Sequence, residues 1–136
     1  MEFDHSDYYQ NEMGDGLHKS FLGFKPPFNP EKLALRKRQA RELEWIYGHT
    51  EDDGFHRMVN IDPGYVNLSQ VVLATSKNFS HRVYLKDGVF AEVTLLYHAK
   101  GWETLPWTYP DYKVPLVQDF LTDCRGNLKN HIDTTR

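Results

Sequence analysis

Residues 78–102 read NFSHRVYLKDGVFAEVTLLYHAKGW, and this stretch decides the fold. Asp87-Gly88 is a two-residue type I′ turn signal, a turn that needs positive φ at both positions. The runs on either side alternate and are rich in Val, Tyr, Phe and Thr, as strands are. If Lys86 pairs with Val89, then Leu85 faces Phe90, Val83 faces Glu92 and His81 faces Thr94. Side chains alternate between the faces of a strand. One face then carries His81, Val83, Leu85, Phe90, Glu92 and Thr94; the other carries Arg82, Tyr84, Ala91, Val93 and Leu95. The second face is the more apolar and is expected to be the core side. On the first, His81 and Glu92 become diagonal neighbours within reach of each other.

Outward from the hairpin, Asn29-Pro30 is an N-cap followed by proline at the first helical position. The helix it opens runs to about Tyr47 and stops at Gly48. Leu33, Ala40, Leu43 and Ile46 fall on one stripe, and Arg36, Lys37, Arg38 and Arg41 read as a solvated basic face. HTEDDG (49–54) reads as a loop and FHRMVNID (55–62) as a strand ending in a Pro-Gly turn. VNLSQVVLATSKN (66–78) is ambiguous: its length and Asn67 favour a helix, its Val and Thr content a strand, and we read a helix. LPWTYPDY (105–112) is an aromatic, proline-punctuated loop. Leu116, Val117, Phe120, Leu121 and Cys124 form the stripe of a last helix that Gly126 ends or kinks, with residues 127–136 frayed. Before Asn29, EFD and SFLGF read as short strands and SDYYQNEM as a helical turn. The expectation is a single α+β domain over 1–136: a mostly antiparallel sheet, the hairpin at its centre, two main helices on one face.

A chain of 136 residues, 40% hydrophobic, holds enough apolar material for one packed core. Its net charge of −3 argues against nucleic acid. One cysteine, Cys124, excludes an internal disulfide and a cysteine-based zinc cluster. The start lacks the pattern of a signal peptide, and no apolar run approaches the ~20 residues of a membrane span. A cytoplasmic protein without membrane contact is expected.

There is no phosphate-binding GxxxxGK[ST] loop, GxGxxG, GxSxG, HExxH or EF-hand loop. The candidates are therefore constellations. A histidine beside a carboxylate is what a general acid or base needs, which nominates His81 and Glu92 as catalytic. Lys77, Ser80 and Arg82 suit an anionic or phosphate-containing ligand. Thr94, Asp62 and Tyr109 supply further hydrogen-bonding groups, and Tyr9 and Glu12 are placed at the rim. Each has an ordinary alternative: a wet sheet face with one ion pair, a strand entry, a self-capping turn. Asp4, His5, Asp7, Glu12 and His18 have irregular spacing and read as solvated, so no metal site is assigned, and no cofactor either.

The succession D-P-G-Y, V-L-A-T-S-K, S-H-R-V-Y-L, A-E-V-T-L and L-P-W-T-Y-P-D-Y, with D-Y-Y-Q-N-E-M-G near the start, resembles the bacterial and archaeal family of unknown function numbered 4416. The resemblance covers nearly residues 1–113. It implies no named activity. It implies that the polar residues inside these motifs, His81, Arg82, Glu92 and Thr94 among them, are more than an incidental wet face. Against that pattern the chain starts late, without a strand and helix, so residues 1–28 form a shortened segment whose open sheet edge would suit pairing with a second copy. The functional expectation is a small-molecule site on the polar hairpin face, with enzymatic use of His81 undecided. The rival is a non-catalytic binding or assembly module that forms a homo- or hetero-oligomer.

Overall fold

The structure, a computed structural model, describes residues 17–135. The expected pieces before residue 17, with Tyr9 and Glu12, lie outside the described residues. Asn29 caps as expected. Its side chain accepts from the Glu31 amide at 3.0 Å, and a 3-10 turn over Pro30–Lys32 leads into helix α1, Leu33–Ile46. No strand forms over SFLGF.

HTEDDG is not a loop but the start of a small hairpin, with β1 (His49–Glu51) pairing β2 (Gly54–His56). The expected strand 55–62 keeps only its first two residues; the rest crosses α1 as irregular chain. Phe55 stacks on Trp45 of α1, ring centroids 4.4 Å apart. Gly48 permits this approach, since a Cβ there would stand 2.2 Å from the Phe55 ring.

The main sheet has the order β3-β4-β6-β5, with β7 also on β6. Its strands are β3 (Gly64–Val66), β4 (Gln70–Thr75), β5 (Arg82–Lys86), β6 (Val89–His98) and β7 (Gly101–Thr104), all antiparallel. The helix expected over 66–78 is therefore overturned. Asn67 does cap, but it caps a turn: its side chain accepts from the amides of Ser69 at 2.9 Å and Gln70 at 2.8 Å, and the chain turns from β3 into β4. The same side-chain habit serves an Asx turn and a helix start. The β-branched Val71-Val72 run beyond it is what selects the strand.

At the hairpin, Asp87 and Gly88 have φ of 53° and 76°, and Lys86 pairs with Val89, as the turn signal implies. The next pair is Tyr84 with Phe90, so Leu85 is an extra residue. This bulge shifts the register by one, and one residue reverses faces. Arg82, not Val83, lies opposite Glu92. A second irregularity sits in β6: Val71 pairs with Leu95 and Val72 with Val93, which leaves Thr94 as the extra residue.

The core has two parts. Val72 and Ala74 pack with Leu33, Ala34 and Val89. Val71 packs with Leu95, Tyr112, Val117 and Leu121. Alternate residues of β4 thus enter different clusters, so the α+β sheet has α1 on one face and helix α2, Pro115–Thr135, on the other, rather than both on one face. Helix α2 runs through Gly126 and the segment expected to fray. Among the described residues, no helix is long and apolar enough to cross a membrane.

Candidate functional site

The polar residues of β6 are not a wet face. Glu92 is 3% exposed and Thr94 fully buried, whereas Val83, Tyr84 and Leu85 of the supposedly mixed hairpin lie outside. A buried carboxylate survives only with partners. The bulge at Leu85 delivers one: Arg82 Nε donates to Glu92 Oε1 at 3.1 Å. His81 Nε2 meets the same oxygen at 2.5 Å, and the Thr94 hydroxyl donates to Oε2 at 3.5 Å. A carboxylate accepts, so the His81 ring carries a proton on Nε2.

His81 is itself clamped. It lies flat on Trp107, centroids 4.5 Å and planes 16° apart, with Phe79 edge-on at 5.5 Å. The aromatic loop has a structural reason to be there. Along one edge of β6, β5 pairs up to Glu92 and β7 begins at Leu95. The carbonyls between need donors. Trp107 Nε1 donates to the Val93 carbonyl at 2.7 Å, and the Thr108 hydroxyl donates to that of Thr94 at 2.6 Å. The loop replaces a missing length of strand, and in doing so lays the indole against His81.

Arg82 holds two further contacts. It donates to the Lys77 carbonyl at 3.0 Å and to the Tyr109 hydroxyl at 3.4 Å. Beside it opens a groove of about 1150 Å³, walled by the end of β4, α1, the 57–62 chain and the Tyr109–Tyr112 turn. Arg82, Glu92, Lys77, Asp62 and Tyr109 line this groove; His81, Ser80 and Thr94 do not. Ser80 is exposed on the strand entry.

The groove also contains charges that sequence reading missed. Lys37, assigned to a solvated face, is 7% exposed: its ammonium lies 3.6 Å from Asp62 and donates to the Ile61 carbonyl at 3.3 Å. Glu44 is also buried, accepting from the Ile61 amide at 3.3 Å with Arg57 at 3.6 Å. Leu33, Lys37, Ala40 and Glu44 are one helical stripe; of the expected stripe Leu33 and Ala40 are buried, whereas Leu43 and Ile46 are exposed. The signal was present as two opposite charges seven residues apart on the face that also carries Leu33 and Ala40. Asp111, 1% exposed, pairs with Lys19. Tyr112 lies among these acids: burial first, then the charges of Asp111, Asp62 and Glu92, push its hydroxyl well above the ordinary tyrosine range.

Among the described lining residues, six Lys and Arg side chains face four carboxylates. Glu44, Asp62, Glu92 and Asp111 each take one cation, and Arg41 adds a guanidinium that pairs with none of them.

The family model described as Domain of unknown function (DUF4416) matches residues 1–127. No curated protein and no solved structure matches the chain.

Proposed function

The chain belongs to the DUF4416 family, whose description names no activity, and we propose that its groove binds a small anionic or phosphate-containing molecule. The observation that carries this reading is the pair of guanidinium groups at a cavity of ligand size: Arg82, held in place by Glu92, and Arg41, which pairs with no carboxylate among the described residues. Arg82 is the anchor, because Glu92 and the Lys77 carbonyl fix its guanidinium before any ligand arrives. Arg41 and Lys77 bring further positive charge to the ligand, and Tyr109 a hydroxyl. Glu92 holds Arg82 from behind, and His81 meets the same carboxylate oxygen. A chemical step would use His81 as general acid or base oriented by Glu92; since His81 stands outside the groove lining, binding is the reading we hold.

A ligand that binds only the folded protein stabilises it by about 2.7 kcal/mol at one hundred times its dissociation constant. Thermal unfolding with inorganic phosphate, pyrophosphate and sugar phosphates is expected to rise for at least one of them. Arg41→Gln combined with Lys77→Gln should remove most of that rise. An unmoved parent, or a double variant that responds as the parent does, sinks the proposal.

A second reading, assembly with another copy, has one observation in its favour. Val83 and Tyr84 on edge strand β5 are 66% and 58% exposed, and an exposed apolar edge invites pairing. Sedimentation equilibrium is expected to show a dimer that Val83→Lys converts to monomer. A parent that stays monomeric at high micromolar concentration removes this reading.

A further inference from the structure

The strongest feature outside the groove is the tip of the β1–β2 hairpin. Its register sets His49 opposite His56 and Glu51 opposite Gly54. Residues 49 and 51 share a face because strand side chains alternate, and a residue opposite His49 shares it too. Phe55 points the other way, onto Trp45, and so pins the hairpin to α1 with this polar face turned out. Asp53 completes the face from the turn.

The resulting donor set is close-knit. One donor atom from each of Glu51, Asp53 and His56 lies within 4.8 Å of the others. His56 Nε2 is 2.6 Å from Asp53 Oδ1 and 3.8 Å from Glu51 Oε2. The other Glu51 oxygen meets His49 Nε2 at 2.9 Å, and the two imidazoles stack with centroids 5.6 Å apart. Among the described residues no Lys or Arg pairs with Glu51 or Asp53, and the partners that meet the two carboxylates are the imidazoles of His49 and His56.

We propose that this hairpin is a divalent transition-metal site in which Glu51, Asp53 and His56 are the ligands and His49 positions Glu51. Two ligands each about 2.1 Å from a zinc-sized ion stand at most about 4.2 Å apart, so movement of the exposed Glu51 and Asp53 carboxylates by under an ångström toward the half-buried His56 closes the site. The ion takes the place of the contacts that His56 Nε2 makes with the two carboxylates, and the neutral ring is the nitrogen ligand. One nitrogen and two carboxylate groups suit zinc, nickel or cobalt; the imidazole disfavours magnesium and calcium. Three protein ligands leave a position for water. His49 on the outer Glu51 oxygen is the arrangement that fixes a ligating carboxylate.

Calorimetric titration of the full chain with zinc chloride, and separately with magnesium chloride, tests this. One zinc per chain is expected at this site, with no binding of magnesium. His56→Ala and Asp53→Asn should each abolish that binding, and His49→Ala should weaken it about tenfold. These residues lie on an exposed hairpin, and circular dichroism checks that each variant is folded. Should His56→Ala fail to fold, Glu51→Gln replaces it with the same expected loss. Retention of zinc binding in these variants, equal binding of magnesium, or no zinc binding by the parent overturns the assignment. Phe55 and Arg57 line the groove but His49, Glu51, Asp53 and His56 do not, so the anion response of Asp53→Asn should be unchanged.

Discussion

Arg82→Met is expected to lower the stability of the folded protein by about 3 kcal/mol, a loss of roughly 10 °C in Tm for a chain this size. The cost comes from Glu92. At 3% exposure it cannot recover hydration, and without the guanidinium His81 and Thr94 are its remaining partners among the described residues. Loss of the contacts to the Lys77 carbonyl and Tyr109 adds to the effect. Urea denaturation followed by tryptophan fluorescence measures it. The double variant Arg82→Met with Glu92→Leu is expected to recover at least half of the loss, because replacing a buried pair by apolar groups is often neutral while breaking it is not. A single-variant cost under about 1 kcal/mol, the range of a surface pair, would show that Glu92 is not buried as described.

Trp107→Ala is expected to cost about 3–5 kcal/mol, the range for truncating a large packed aromatic. The indole bridges an interruption in the sheet edge and clamps His81 at once. Trp107→Phe separates these tasks. The ring remains against His81, but the Val93 carbonyl loses its donor, for a cost of about 1–3 kcal/mol. If both variants denature with the parent, the loop is an ornament on the sheet and not its substitute strand.

The parts of this fold set by local chemistry were legible. Asn29-Pro30 starts a helix because its geometry is complete within four residues, and Asp87-Gly88 turns because few other pairs accept two positive φ values. His81 and Glu92 are in contact, as the turn and the strand period lead one to expect, but in a register one residue away from the one they imply. What was not legible depends on tertiary packing. The bulge at Leu85 has no glycine or proline to mark it, yet it decides that Arg82 joins Glu92 instead of facing away. Asn67 offers the same side-chain cap to a turn and to a helix, so the Val71-Val72 run and its strand partners β3 and β6 together select between them. Lys37 reads as solvated until the 57–62 chain is laid over it, since burial of a lysine is decided by the Asp62 and Ile61 groups that meet it.

These placements change what the hairpin's polar residues are for. A wet face would exchange freely with solvent; Glu92, Arg82, His81 and Thr94 instead form a fixed cluster whose outward product is one oriented guanidinium at the wall of a cationic groove. Binding energy at such a wall does not have to order the arginine first.

Titration of isotope-labelled protein with pyrophosphate, followed by amide and arginine side-chain NMR, tests this most directly. The account predicts saturable shifts confined to the groove: the Arg82 Nε–H, and amides within 37–41, 57–62, 75–77 and 109–112. Shifts that fail to saturate, or that scatter over surface lysines such as Lys113 and Lys129 while the Arg82 signal stays still, would contradict it.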